Sequence, residues 1–375
     1  MVARVKKDSE NLRDILRSLD KKSGLAGEAM LRAETTEEQF NLIGAGRRNF
    51  LYNGAMEIWQ RGTSFNNIGG GGVRAYSADR WTATRYASGE NDIGRETATN
   101  LDGFEYCLRS ARGGGDTTTT ARFVQQVLEH RDSVKLAGKF VTFSFYARLG
   151  SGFNGNRLNS MIRYHTEAGK EERMYYNNFM TATGQAGGEE NHRDVGTDWK
   201  RYSNTFFIPH NAQQVGVAIN TEQNLIAAVS ADFFEITGCQ LEIGRNPTPF
   251  EHRSYNEELQ LCKRYYHKLN GGTSGVDKDQ YAPITFWMES AGAMKGIYEY
   301  PVEMRDIPAV TVAGSWSIDG GTSGNPTVTL LNNHQNTAGN KSVRFEFLGS
   351  FDARDGGILS YATNGSTYIE FDADI

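Results

Sequence analysis

Apolar and polar residues alternate with a period of two through much of the chain between Arg47 and Arg253. Lys139–Arg148 (KFVTFSFYAR) carries Val141, Phe143 and Phe145 on one face. Arg157–His165 alternates through Leu158, Ile162 and Tyr164, and Val215, Val217 and Ile219 repeat the pattern, as do Phe234 and Ile236. Successive side chains of a strand point to opposite faces, so each run predicts a half-buried strand. Glycine-rich turns separate several of the runs. That pattern predicts an antiparallel sandwich rather than βαβ units. Beyond Gly271 the theme returns with Val310 and Val312, Val328 and Leu330, and Val343, Phe345 and Phe347, with a last strand over Tyr368–Asp374. This predicts a second, smaller β-domain. No internal repeat recurs at a fixed period.

Two stretches break the alternation. In Gln240–Leu269 the strand pattern stops at Gly244, and Gly, Asn and two prolines follow up to Pro249. Ser254 and Glu257 then have the spacing of a capping box, and Leu259, Cys262, Tyr266 and Leu269 follow at helical spacing up to Asn270-Gly271. A short linking helix is therefore expected, with Cys262 inward and His267 outward. The other stretch is residues 1–46, charged in both signs and poor in aromatics. Leu12, Ile15, Leu16 and Leu19 form one helical stripe between a Ser9 cap and a Gly24 stop, and a second short helix starts near Thr35. A helix this short is marginal alone, so its stripe needs a partner surface. No sustained heptad predicts a long coiled coil.

Two strings resemble a known family. QLEIG…TPFEHRSYNEELQLCKRYY, within Gln240–Tyr266, resembles a junction in tail-fibre and related tail proteins of tailed bacteriophages. NFLYNGAMEIWQRGTSF at Asn49–Phe65, with YSADRW at Tyr76–Trp81, resembles the opening strand of the jelly-roll, carbohydrate-binding-module-like domain of the same proteins. The resemblance covers roughly Asn49–Leu269 and, more weakly, the C-terminal strings MRDIPAVTV and YIEFDADI. It implies a virion structural protein made in the host cytoplasm: a tail fibre or receptor-binding protein, homotrimeric, contacting host cell-surface glycans. Residues 1–46 would bind other tail or virion proteins through Leu12, Ile15, Leu16 and Leu19. A capsid decoration or neck appendage using the modules as spacers, and a glycan-degrading tailspike enzyme, are the alternative readings. The expected organisation is mainly β: an N-terminal helical attachment segment over 1–46, an antiparallel jelly-roll β-sandwich over 47–253, and a linking helix plus smaller β-domain over 254–375.

Composition narrows the partners. A formal net charge of −5 offers no general attraction to nucleic acid or anionic membrane. No run of 18 apolar residues exists, so membrane insertion is not expected, and the N-terminus lacks the apolar core of a secretory signal. Gly 42 against Pro 7 predicts many tight turns, and 11% aromatic residues argue against general disorder. Cys107, Cys239 and Cys262 are odd in number and scattered, which predicts buried free thiols rather than a disulfide framework.

The chemistry-bearing patterns are few. Gly150–Gly155 matches G-x-G-x-x-G, but a strand-like segment follows it instead of a helix, so a hairpin turn is expected. Glu189, Glu190, His192 and Asp194 have metal-ligand side chains on a glycine-flanked loop without any paired zinc motif. Asn53, Glu57 and Asp232 have the oxygen ligands that a structural calcium takes in some jelly rolls. No metal or cofactor is expected. No nucleophile elbow or selectable carboxylate pair points to catalysis, so no catalytic residue is assigned. Sugar rings stack on exposed indole or phenol faces, which directs attention to Trp81, Tyr86, Trp199, Trp287 and Trp316. Trp59 and Trp81 belong to the opening strings and are expected to pack inward. Trp199 and Trp316 remain the glycan-binding candidates, both expected on loops.

Overall fold

The computed structural model describes residues 47–68, 75–85, 91–113, 121–153, 155, 157–168, 171, 180–181, 191–221, 231–270, 281–282, 285–290, 293–313, 316–319, 327–331, 339–348, 358–361 and 368–374. The expected attachment stripe of Leu12, Ile15, Leu16 and Leu19 lies outside them.

The first unit contains β1 (Ser64–Phe65), β2 (Ala75–Tyr76), β3 (Thr82–Arg85), β4 (Asp92–Thr97), β5 (Tyr106–Ala111), β6 (Arg122–Val127), a one-turn helix α1 (His130–Ser133), β7 (Phe140–Leu149), β8 (Arg157–His165), β9 (Met180–Thr181), β10 (Asn191–Asp194), β11 (Lys200–Phe207), β12 (Gln214–Thr221) and β13 (Phe233–Ile243). One antiparallel sheet runs β1-β4-β5-β13-β7-β11, and the other runs β10-β8-β12-β6-β3-β2 with β9 beside β8. The chain crosses between the layers repeatedly, as in a jelly-roll sandwich. The inward phases predicted by alternation meet in one core: Val141, Phe143 and Phe145 from β7, Leu158 and Ile162 from β8, Val215, Val217 and Ile219 from β12, and Phe234 and Ile236 from β13. Burying such a side chain contributes roughly 1.5–3 kcal/mol, and this shared core holds the layers together. Trp59 and Trp81 are buried as expected, and so are all three free cysteines.

Three expectations change here. Residues 49–63 form an irregular, largely buried segment instead of an opening strand. Asn53 and Met56 take left-handed backbone angles, φ 51° and 57°, which a ladder cannot hold. The Asn53 carboxamide fixes this turn, donating to Ile58 O at 2.8 Å and accepting from the backbone N–H groups of Glu57 and Ile58, both at 2.9 Å. The Gly150–Gly155 turn is not a hairpin. It carries the chain from β7 in one layer to β8 in the other, and Gly150 N donates to Phe233 O at 2.8 Å. Finally, Asp232 is not available to a calcium ion. Its carboxylate accepts from Arg112 Nε at 2.8 Å and Arg122 Nη2 at 2.9 Å, and all three side chains are buried.

After the sandwich, α2 (Tyr255–Lys263) begins where the capping pattern predicts, with Ser254 Oγ accepting from Glu257 N at 3.3 Å. It ends earlier than expected. The second unit continues with β14 (Tyr266–Asn270), β15 (Tyr281–Ala282), β16 (Thr285–Ser290), β17 (Ala293–Glu299), β18 (Ala309–Ala313), β19 (Trp316–Asp319), β20 (Thr327–Leu331), β21 (Ser342–Leu348), β22 (Ile358–Tyr361) and β23 (Tyr368–Asp372). They form a three-stranded sheet, β14-β23-β18, and a seven-stranded sheet, β15-β22-β19-β20-β21-β17-β16. Tyr266, His267 and Leu269 thus belong to a strand paired with β23. Cys262 is inward as predicted, but His267 is buried too. Its ring lies nearly parallel to those of Tyr298 and Phe371, and Nε2 sits 2.5 Å from Tyr298 Oη.

The two units meet through the residues of the resembled strings. In the run Arg264-Tyr265-Tyr266, Arg264 pairs with Glu129 at 2.9 Å. Tyr265 receives the guanidinium of Arg80 and Tyr266 that of Arg61, each 3.6 Å from the ring centroid. Both arginines also reach the carboxylate of Asp374. Glu258 of α2 accepts from Asn53 N at 2.5 Å and from Arg253, tying the helix to the irregular opening segment. These strings therefore build the junction.

Candidate functional site

Each sheet of the sandwich has an outer face, and the two differ in access. On the seven-stranded sheet, Thr82, Gln125, Ala218 and Met161 lie in register across four strands, with Thr84, Phe123, Asn220 and Asn159 in the adjacent row. Apart from half-buried Phe123, these residues are all buried, so this face is closed.

The six-stranded sheet is closed at one end only. There the segment after β13 folds back over the outward residues of that strand. Thr248 N donates to Glu242 Oε1 at 2.9 Å, and Glu251 N donates to Gln240 Oε1 at 2.8 Å. Next along the face, Phe104 and Phe250 pack with Tyr146 and His252. This cluster covers the bulge at Gly238 (φ 59°), where an added Cβ would lie 2.8 Å from the Phe104 and Tyr146 rings.

The open end carries a row of aligned side chains. Arg109 of β5 stands opposite Glu235 of β13, and Glu235 stands opposite Arg148 of β7. The β11–β7 register ends at Lys200 opposite Ala147, which sets Trp199 beside Arg148 at the sheet edge. The Glu235 side chain is 0% exposed and held from both sides: Arg109 Nε donates to Oε1 at 2.8 Å, and Arg148 Nε to Oε2 at 2.5 Å. A buried carboxylate is tolerable only when its charge is compensated in this way. The Arg148 guanidinium lies 5.0 Å from the Trp199 ring centroid, a cation–π contact, and Trp199 Nε1 donates to Thr99 O at 3.0 Å. Trp199 is half-buried and Arg148 is 21% exposed, so an indole and a guanidinium face solvent together on a locked base.

This row can bind, and neither Glu235 nor Cys107 is suited to covalent or acid–base chemistry. Glu235 is enclosed between two cations and cannot approach a scissile bond. Cys107, on the neighbouring strand, is buried, and burial followed by the Glu235 charge pushes its thiol pKa well up. A protonated thiol is a poor nucleophile. Among the described residues no cluster of His, Cys, Asp or Glu has metal-binding geometry.

Of the sequence candidates, Trp199 lies at this open end, just before β11. Trp316 is not at a loop tip: it opens β19, opposite Val328 and Tyr361, and its side chain lies outside the described residues. Tyr86, Glu189 and Glu190 lie outside them as well, as do the side chains of Trp287 and His192. Asp194 is exposed and pairs with Arg157 at 3.3 Å. Arg109, Arg148 and Glu235 carry no motif in the sequence. Their signal was the polar phase of three strands whose apolar phase marked the core, but the strand order that aligns them is not encoded locally.

No family model and no curated protein matches the sequence. Several solved structures are similar to about half of the chain. The enzymatically active domain of bacteriophage CBA120 tailspike protein 4 is 13% identical with a TM-score of 0.32, over 52% of this chain and 21% of that one. A putative sugar binding protein from Bacteroides thetaiotaomicron is 14% identical with a TM-score of 0.34, over 52% and 100% of the respective chains. A xylan-binding domain of carbohydrate-binding module 22 is 16% identical with a TM-score of 0.31, over 50% and 99%. At these scores none of the three bears on ligand or activity.

Proposed function

We propose that this chain is a non-catalytic, glycan-binding structural protein of a tailed-phage appendage, a tail fibre or receptor-binding protein. The observation that carries the glycan reading is the open row in which Trp199 and Arg148 stand together on a rigid sheet. A half-exposed indole stacks on the apolar face of a pyranose ring. The neighbouring guanidinium donates hydrogen bonds to the ring's substituents, and both groups are already fixed before a ligand arrives. The phage reading rests on the strings at Asn49–Phe65, Tyr76–Trp81 and Gln240–Tyr266. On this reading residues 1–46 attach the chain to the virion, the assembly is a homotrimer, and the partner outside the particle is a host cell-surface glycan.

Binding without cleavage is favoured over a tailspike hydrolase because glycoside hydrolysis needs two carboxyl groups that reach the glycosidic bond, and the carboxylate of this row is enclosed. A spacer role in a capsid decoration or neck appendage would leave the open row without a ligand. The experiment is direct binding of the purified full chain to surface polysaccharide extracted from host-type bacteria, with released reducing ends measured in the same samples. Saturable binding without reducing ends supports the proposal. Absence of binding favours the spacer reading, and release of reducing ends favours the enzyme.

A further inference from the structure

We infer that the ligand of the Trp199 row is an acidic glycan, with a carboxylate on the sugar read by Arg148. This rests on the glycan reading above and adds the chemical class. It follows from which hydrogen-bonding groups beside the indole are already engaged. The indole N–H is given to Thr99 O. Both oxygens of Glu235 are taken, Oε1 by Arg109 and Oε2 by Arg148, and its side chain has no solvent exposure. Arg148 uses only Nε for this hydrogen bond among the described residues.

Within the row itself, the groups left beside the indole are therefore the Nη donors of Arg148. A neutral sugar presents hydroxyls, each with a proton that seeks an acceptor. A donor-only guanidinium suits a group that is all acceptor, and a planar carboxylate matches its fork in two parallel hydrogen bonds. The other carboxylate of the network, Glu96 on β4, forms an ion pair with Arg109 at 3.3 Å. It is three strand spacings from β7, about 14 Å away, beyond the reach of a ring stacked on Trp199. Asp198 and Lys200 flank the indole in sequence with opposite charges and offset one another. Arg109 is shared between Glu235 and Glu96, and Arg148 pairs with Glu235 through Nε, so the Nη groups of Arg148 make no hydrogen bond among the described residues.

The test uses the full chain and a panel of oligosaccharides in matched pairs. One member of each pair carries a uronic or sialic acid, and the other is the same sugar with its carboxyl reduced to an alcohol. The expected result is at least about tenfold tighter binding of acidic members, the equivalent of one guanidinium–carboxylate contact. That preference should shrink when sodium chloride is raised from about 0.05 to about 0.5 M. In Arg148→Gln the preference should vanish while weak binding to both members remains. Equal, Trp199-dependent binding of both members by the unmodified chain would overturn the acidic class and leave the glycan reading standing. No binding to any pair would overturn both. Because the matched pairs are compared on the unmodified chain, the result does not depend on the variant folding.

Discussion

Arg80, near the start of the sandwich, donates to the carboxylate of Asp374, near the end of the chain, and the two side chains are 2% and 1% exposed. Arg80 holds a left-handed backbone angle, φ 69°, donates to Val127 O at 2.7 Å and lies on the Tyr265 ring. Ala373 N donates to Tyr265 O at 2.8 Å, so backbone and side chain bind the last strand together. Removing one partner of a buried ion pair leaves an uncompensated charge, at a cost of roughly 3–5 kcal/mol. Asp374→Ala should therefore destabilise the protein by about that amount in chemical denaturation, and the double variant Arg80→Met/Asp374→Leu should recover a large part of it. The same linkage predicts one cooperative unfolding transition for both units. Two separate transitions, with Asp374→Ala moving only one, would show that they fold independently.

His267 provides a pH signature. Burial, with Lys263 nearby as the smaller cause, lowers its pKa from 6.5 to about 4. The folded state keeps the ring neutral, whereas the unfolded state binds a proton below pH 6.5. Its contribution is fully present above that pH and is lost as pH falls from about 6.5 to about 4, by at most about 3 kcal/mol. Asp79 acts in the opposite direction: burial raises its pKa from 3.8 to about 6. It favours the folded state increasingly as pH falls through that interval, so the two effects partly cancel in the unmodified protein. His267→Gln should remove one side of this balance. Between pH 6.5 and 4 its stability should fall less, or rise, relative to the parent, measured by denaturant midpoints at several pH values. Parallel curves for the two proteins would contradict the assignment.

Gly54 tests the opening segment. An added Cβ would lie 2.2 Å from the backbone oxygen of Cys239, which is held by Asn49 Nδ2 at 3.0 Å. Gly54→Ala should destabilise by about 3 kcal/mol or more. Gly196, where the same addition meets nothing within 4 Å, is the control. Gly196→Ala should leave the melting temperature within a few degrees, and a similar loss for both would show that the close approach is not the cause.

The core was legible because alternation in β7, β8, β12 and β13 is a local signal with a fixed period. The Ser254 cap was legible for the same reason. The length of α2 was not: Cys262, Tyr266 and Leu269 keep helical spacing, yet Tyr266–Asn270 pairs with β23, about a hundred residues away in sequence. Tertiary pairing overrides the local pattern and carries His267 into the buried strand. The opening segment was not legible, because the left-handed turn at Asn53 depends on a side chain bonding to backbone groups four and five residues onward. Trp199 could be singled out as an aromatic beside polar residues. Its partner Arg148 could not, because their adjacency depends on the register between β7 and β11.

The most direct test of the central claim is the dissociation constant of the full chain for surface polysaccharide, measured with and without Trp199 and alongside the melting temperature. Trp199→Ala should weaken binding about tenfold or more, the loss of roughly 1.4 kcal/mol of ring stacking. Its melting temperature should shift by only a few degrees, since the ring is half-buried at a sheet edge. Trp199→Phe, which keeps a flat ring but loses the bond to Thr99, should bind between the two. Unchanged affinity in a folded Trp199→Ala would contradict the account and leave the Arg109–Glu235–Arg148 row as a purely structural brace.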